Sequence, residues 1–500
     1  MPLFLIIFPA FFFAIDRWFL SERGPYFWNN NIDPDYAYLF NGLEIIHRRV
    51  PGHIDHPGTT VQVLNGIVIY VTHLFSCIAG PCQSIDRSVF IDPEFYLQWI
   101  NVILILIIAA AVFFFGLRVY QLTGNKIRAL SAQFLLLLYP SVLIALAYCR
   151  PEPLVLAAAI VLIAILFDEN IQDETQAKAS LVVGALLGFG LATKIVFLPL
   201  VAFAFVFKSR TQKIVCLIMT LISAVFFTLP IISVYSRVFS WFGRVATHDG
   251  YYGGGNVGVP GLTDLFGNFL GLVKDEPFFF VNLFALFVFL IFCFYSRILL
   301  LCASVATLQF LMTVKHPSGH YLLPSMPVLV LANVKALDYI GAGKKSLRWI
   351  FVGMILAGTV LGFMYLKDWR RDVRRINAET LRMGAMLDKQ PCRVLDYQGG
   401  TSKLYALNFG NWFTTASGAY NYSWILREVY PQGLTVNAGE VNFFSGGVKK
   451  AELQEMLSHG NCVVIDGRKI LPEQEKSFEH FHLKPIEVGE FFGIYQVTSF

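Results

Sequence analysis

Residues 181–207 read LVVGALLGFGLATKIVFLPLVAFAFVF, and the way Lys194 is accommodated in them decides the fold. A helix needs roughly 17–25 apolar residues to cross a bilayer, so the run is long enough for one crossing. An ammonium at the centre of such a crossing is costly, and glycines and Pro199 interrupt the pattern. Two short helices that meet at Lys194 remove both difficulties.

The rest of the chain arbitrates, because cytoplasmic loops retain Lys and Arg. The basic short loops are Arg118/Lys126/Arg128, Lys208/Arg210/Lys213 and Lys335/Lys344/Lys345/Arg348. They share one side only if 181–207 is two helices. The other apolar runs are 3–20, 96–117, 131–148, 152–168, 213–235, 277–296, 298–314, 320–338 and 347–366. Segment 59–80, TTVQVLNGIVIYVTHLFSCIAG, is long enough to cross but is diluted by Thr59, Thr60, Gln62, Asn65, Thr72, His73 and Ser76. Charge balance asks it to lie along the outer interface as an amphipathic helix. The expected topology has about eleven spans of the usual length, with the N-terminus inside. The first run has no basic n-region and no small-residue cleavage site, so it reads as an uncleaved span.

Composition agrees with lipid as the solvent. The chain is 56% hydrophobic and 15% charged, with mean hydropathy +0.58, against about 25% charged residues in soluble domains. A net charge of +5 with no basic, aromatic-interleaved surface excludes a nucleic-acid partner. No GxxxxGK[ST] stretch occurs, and the GxGxxG match at 253–258, GGGNVG, stands in a glycine-rich loop without the strand ahead of it that a dinucleotide fingerprint needs, so nucleotide use is not indicated. Past residue 367 the character changes. KDWRRDVRRINAETLRMGAMLDKQ predicts a basic amphipathic helix, CRVLDYQ, NCVVIDG and FFGIYQVTSF predict strands, and KKAELQEMLSHG predicts a helix. The expected domains are therefore a membrane domain, 1–366, with outer loop 21–95, and a small α/β outer domain, 367–500. Cys77 and Cys82, and Cys392 and Cys462, fall on the outer side, where two disulfides are one reading; ordinary small hydrophobes is the other.

In this topology NNIDPDYAYLFNGLEIIHRRVPGHIDHPGTT, residues 30–60, is an outer loop, and it holds the densest cluster of ionisable groups. Asp33 and Asp35 flank Pro34 just ahead of a short amphipathic helix. Two N-capping acids would satisfy local structure alone. At a membrane surface beside basic groups, a carboxylate also serves as a general base toward a hydroxyl, or as a metal ligand. His47, His53, Arg48 and Arg49 read as solvated surface. Arg150, Glu152 and Lys194 sit at membrane depth, where ionisable side chains tend to be functional; a structural Arg150/Glu152 pair and a snorkelling Lys194 are the plain alternatives.

Five short elements, in order, resemble the C-type (GT-C) glycosyltransferases that use polyprenyl-phosphate sugars, a superfamily that includes protein O-mannosyltransferases, lipid A aminoarabinose transferases and the RgtA/B/C/D-like enzymes. They are DPDYAYLFNGL, HPGTTVQVLNG, YPSVLIALAYCRPEPLVL, GALLGFGLATK and HPSGHYLLPSMPVLVL. The family's acidic pair is Asp35–Tyr36 here, and the second proline of its HPP motif is Gly58. The resemblance implies a polytopic helical membrane protein with interfacial helices in its first outer loop. It implies an integral-membrane inverting glycosyltransferase of the cell inner or plasma membrane. Such an enzyme moves a sugar from a polyprenyl-phosphate donor to a hydroxyl of a lipid, glycan or protein. It implies Asp35 as catalytic base with Asp33 as its alternate. It implies His56, Arg150, Lys194 and Lys315 on phosphate, Glu152 on a sugar hydroxyl, and His320 and Tyr321 near the lipid-phosphate head. No cofactor is required; a divalent metal, if used, is Mg²⁺ or Mn²⁺ on Asp33 and Asp35. The competing class is a transporter or flippase, since intramembrane charge and a broken helix are also transporter features.

Overall fold

The structure is a computed structural model. It describes residues 2–28, 35–55, 57–172, 177–292, 296–340, 345–387, 389, 393–397, 403–416, 418–430, 434–437, 440–442, 463–469 and 482–499. Asp33, His56, Cys392, Cys462 and the helix expected from KKAELQEMLSHG lie outside the described residues. Contacts divide the chain into two compact units that are not collinear with the sequence. One is Met1–Phe19, Ile54–Val61 and Asn101–Asp368; the other is Leu20–His53, Gln62–Ile100 and Trp369–Phe500.

The first unit is a helical membrane body. Among the described residues, five helices are long and apolar enough to cross a bilayer. They are Leu3–Arg23, Thr59–Ala79, Pro93–Thr123, Arg210–Phe227 and Arg297–Val314, and some continue into the second unit. A sixth is the pair Lys126–Leu138 and Pro140–Leu146, bent by 81° where Tyr139 is extended ahead of Pro140, as a residue before proline prefers. Pro151–Leu166, Lys178–Thr193, Ile195–Val206 and Pro277–Ile291 are shorter apolar helices.

The stretch 181–207 is broken at Lys194, as its sequence requires. The α-helix Ala177–Thr193 ends there, Lys194 is extended (φ −160°, ψ 135°), and Ile195–Val206 continues as a 3₁₀-helix. Twelve residues is long for that form. Glycines explain why the first half packs so tightly. A Cβ on Gly184 would lie 2.4 Å from the Cys216 carbonyl, and one on Gly188 2.3 Å from that of Thr220. Small residues at four-residue spacing thus let Arg210–Phe227 approach to backbone contact.

The second unit carries the loop after the first apolar helix together with the C-terminal region. Its sheet runs β3-β2-β1-β4-β6-β5, with β1 Arg393–Tyr397, β2 Leu434–Asn437, β3 Glu440–Asn442, β4 Val463–Arg468, β5 His482–Val488 and β6 Phe492–Ser499. β1 is parallel to β2 and β4, and the other pairings are antiparallel. Met383, Val464, Phe492 and Ile494 form a core between the sheet and the helix Lys345–Leu387. That helix runs 43 residues without a break, so the last expected span and the basic helix after it are one element. Strands β1, β4 and β6 stand where the sequence places them, while β2, β3 and β5 and the helices Lys403–Ala416 and Ser423–Val429 are additions.

Candidate functional site

The acidic loop differs from its expected form. The helix Asp35–Ile46 is present, but its residues from Asp35 to Glu44 are all buried, so it is not amphipathic. Two contacts account for this. Gly42 and Gly66 meet face to face, a Cβ on Gly66 falling 3.0 Å from the Gly42 carbonyl. On another side, Lys403–Ala416 covers the helix, with Gly410 against Phe40. The same cover corrects the reading of His53 as solvated surface. His53 is 4% exposed and sits between Tyr38 and Phe413, ring centroids 5.0 and 4.9 Å away. Arg49 is half-buried, its guanidinium 3.8 Å over the Tyr420 ring, a cation–π contact.

Asp35 occupies the first turn of this helix, where a carboxylate is favoured by the helix dipole. Its Oδ2 accepts from Arg23 at 2.5 Å, and both side chains are almost wholly buried. Arg23 also lies over the Tyr26 ring. The next residue, Tyr36, donates its hydroxyl to Glu94 Oε1 at 2.7 Å, and the Tyr26 amide donates to Glu94 Oε2 at 2.8 Å. Burial, reinforced by Glu94, pushes the Tyr36 hydroxyl well up, so it stays a donor at any working pH. Arg23 and Glu94 are partners that no short motif marks. Arg23 already supplies positive charge at Asp35, the charge a divalent metal would otherwise bring.

A second cluster forms around Lys194 in the membrane body. Pro151 holds Arg150 extended (φ −112°, ψ 177°) and starts the helix Pro151–Leu166, putting Glu152 in its first turn. Lys194 Nζ donates to Glu152 Oε1 at 2.5 Å, both side chains nearly sealed from solvent. His320 Nε2 is 3.9 Å from the same oxygen, and its Nδ1 is 2.6 Å from Ser318 Oγ. The Lys194 ammonium is 5.0 Å from the Tyr321 ring centroid, and the Arg150 guanidinium 3.9 Å from that of Tyr148. Pro57 pairs with Lys194 through the backbone, and Thr60 Oγ1 donates to Thr193 Oγ1 at 2.7 Å. Of the residues expected in the site, Glu152, Lys194, His320 and Tyr321 are thus brought together.

Next to this cluster lies a cavity of about 460 Å³, a size suited to a ligand. Its walls are largely apolar, with Val196, Leu198, Trp241, Phe242, Tyr252 and Leu311 among them, and Lys194, Lys315, His316 and Tyr321 supply the polar groups. Lys315 Nζ donates to the Val245 and Ala246 carbonyls at 2.8 and 3.0 Å, capping the helix Tyr235–Thr247. Burial and the neighbouring Lys315 hold His316 below the usual imidazole range, so it is neutral at pH 7.

One further residue supports the cluster and was missed. Glu276, 1% exposed, accepts from the Ser141 amide at 2.7 Å. It also packs on Gly319: a Cβ there would lie 2.7 Å from Ser141 Oγ and 3.2 Å from Glu276 Cγ. Burial pushes the Glu276 carboxyl up to about 8 from 4.5. Between those pH values the folded chain holds a proton that the unfolded chain releases, so this group's contribution to stability falls as pH rises. Glu276→Gln keeps the acceptor and loses the titration. Thermal unfolding in detergent at pH 5 and pH 8 is expected to show a flatter pH dependence for the variant; identical slopes would refute the assignment.

No family model matches the sequence, and no curated protein does. Solved structures do. ArnT from Cupriavidus metallidurans bound to undecaprenyl phosphate superposes with a TM-score of 0.51, covering 99% of this chain and 98% of that one. The chain has the ArnT fold. The apo form of ArnT gives 0.50, covering 99% and 97%. Identities of 11% and 13% mean that the ArnT likeness lies in the path of the chain over its whole length.

Proposed function

We propose that the chain is an integral-membrane glycosyltransferase that takes a sugar from a polyprenyl-phosphate donor and passes it, with inversion, to an acceptor hydroxyl on the outer face. The observation that carries this is the apolar cavity with cationic groups at Lys194 and Lys315. An isoprenoid chain suits such walls, and a phosphate suits ammonium groups partly withdrawn from water. The bound undecaprenyl phosphate of ArnT supports the same ligand class.

In this reading Asp35 takes the proton from the acceptor hydroxyl as the oxygen attacks the anomeric carbon, and polyprenyl phosphate leaves. The departing charge is met by Lys194, with Arg150, Lys315 and His56 assigned to the same task. Fixed positive charge aimed at developing negative charge lowers the barrier without reorganisation. Glu152, held by Lys194, receives a sugar hydroxyl or holds the ammonium in place, and Asp33 stands as the alternate base.

The test is transfer in membranes from a panel of radiolabelled polyprenyl-phosphate sugars. One donor is expected to be consumed, with label appearing in a membrane or envelope product. A wild-type chain that transfers none of them, and instead moves lipid-linked sugar across vesicles, would replace the enzyme reading by a transporter.

A further inference from the structure

The second unit holds a third group of side chains: His73, Cys77 and Cys82 each offer one ligand atom, and the three atoms lie within 4.8 Å of one another. His73 and Cys77 are one turn apart on the helix Thr59–Ala79 and share a face. The turn through Gly80 and Pro81 brings Cys82 back to Cys77, and the two are joined as a disulfide. His73 Nε2 is 3.5 Å from Cys77 Sγ.

We propose that reduction of this disulfide converts the turn into a Zn²⁺ site with His73, Cys77 and Cys82 as ligands. Zinc binds imidazole at about 2.0–2.1 Å and thiolate at about 2.3 Å, so the nitrogen–sulfur edge of a tetrahedron is about 3.5 Å. The His73–Cys77 separation already has that value. What remains is for Cys82 to swing out to a similar distance. It is exposed, on a loop where a Cβ at Gly80 would find its nearest neighbour 4.0 Å away, so the movement meets little resistance. The second ring nitrogen of His73 is also held. Nδ1 lies 3.5 Å from the Tyr96 hydroxyl, which exchanges a 2.7 Å bond with Ser88. An oriented second nitrogen of this kind is the usual outer support of a metal-binding histidine.

The chemistry balances. A dithiol reductant gives two electrons and two protons to the Cys77–Cys82 bond and becomes a disulfide. The two thiols then lose their protons on binding Zn²⁺, neutral His73 adds Nε2, and water completes the four positions. Oxidation reverses the sequence and expels the ion. The turn therefore reads the thiol–disulfide state of its surroundings, independently of sugar transfer.

The test uses the full chain in detergent, reduced with a phosphine and titrated with Co²⁺ under nitrogen. One equivalent is expected to bind with sulfur-to-cobalt charge-transfer absorption, which Zn²⁺ displaces. The oxidised chain and Cys77→Ser/Cys82→Ser are expected to give none. His73→Ala should weaken binding at least tenfold, and Tyr96→Phe by about tenfold, the size of outer-support effects. Cobalt–thiolate absorption no stronger in the reduced wild type than in the double serine variant would overturn the proposal. So would binding indifferent to His73→Ala.

Discussion

Lys194→Met is expected to abolish sugar transfer, and also to lower stability by about 3–5 kcal/mol, because it strands Glu152 as a buried carboxylate. The two effects have different causes and can be separated. Glu152 and Lys194 face each other at 2.5 Å with side chains 7% and 5% exposed, so removing both charges removes the electrostatic fault. Glu152→Gln/Lys194→Met is therefore expected to recover most of the lost stability, as apolar replacement of a buried pair commonly does. Transfer should not return, because the ammonium that meets the leaving phosphate in the proposed mechanism is gone. Unfolding in detergent and transfer from the accepted donor are read side by side. A double variant that folds and transfers at the wild-type rate would make the pair purely structural. Arginine at 194 tests geometry instead of charge: the nearby Tyr321 ring and the Glu152 carboxylate leave a planar fork no obvious seat.

How much of this was legible in the sequence depends on range. The break at Lys194 was readable because a charge at membrane depth, flanked by glycine and proline, has few solutions. The helix start at Asp35 was readable for similarly local reasons. The partners were not. Glu152 meets Lys194 across 42 positions, and no spacing rule covers such a distance; depth and resemblance single out each residue for a role of its own, and the one pair the sequence suggests is Arg150 with Glu152. Arg23, Glu94 and Glu276 were missed because each looks, locally, like an ordinary end-of-helix charge. The misreading of His53 has the same root. Its cover comes from Lys403–Ala416, more than three hundred residues later, and a loop rich in ionisable groups looks solvated until that helix is known. The polar residues of 59–80 fall mostly on one side of the helix. Thr59, Thr60, Gln62, Asn65 and Thr72 are buried, while Ile67, Tyr70, Leu74, Phe75 and Ile78 are outside, the arrangement of a helix whose polar side faces protein and whose apolar side faces lipid.

Asp35→Asn is the second decisive substitution, and the structure changes how it must be made. General-base catalysis contributes about 10²–10⁴-fold, so a loss of that order is expected if Asp35 is the base. Yet Asp35 is also the buried partner of Arg23, and a neutral amide leaves that guanidinium uncompensated. A dead Asp35→Asn chain alone would not distinguish a lost base from a misfolded loop. Arg23→Gln/Asp35→Asn removes both charges while keeping a hydrogen-bonding group at each position. It is expected to fold, to bind the lipid donor with little change, and to transfer no sugar above about one hundredth of the wild-type rate. Arg23→Gln alone should retain transfer but weaken it, since the carboxylate loses the group that fixes its orientation. If the double variant transfers normally, Asp35 is a structural acid at a helix start, and the base must be sought at Asp33. If both single variants are inactive and the double is active, the pair matters only for folding. Either result would leave the phosphate-holding role proposed for Lys194 open to its own test, because that role concerns leaving-group stabilisation and not proton removal.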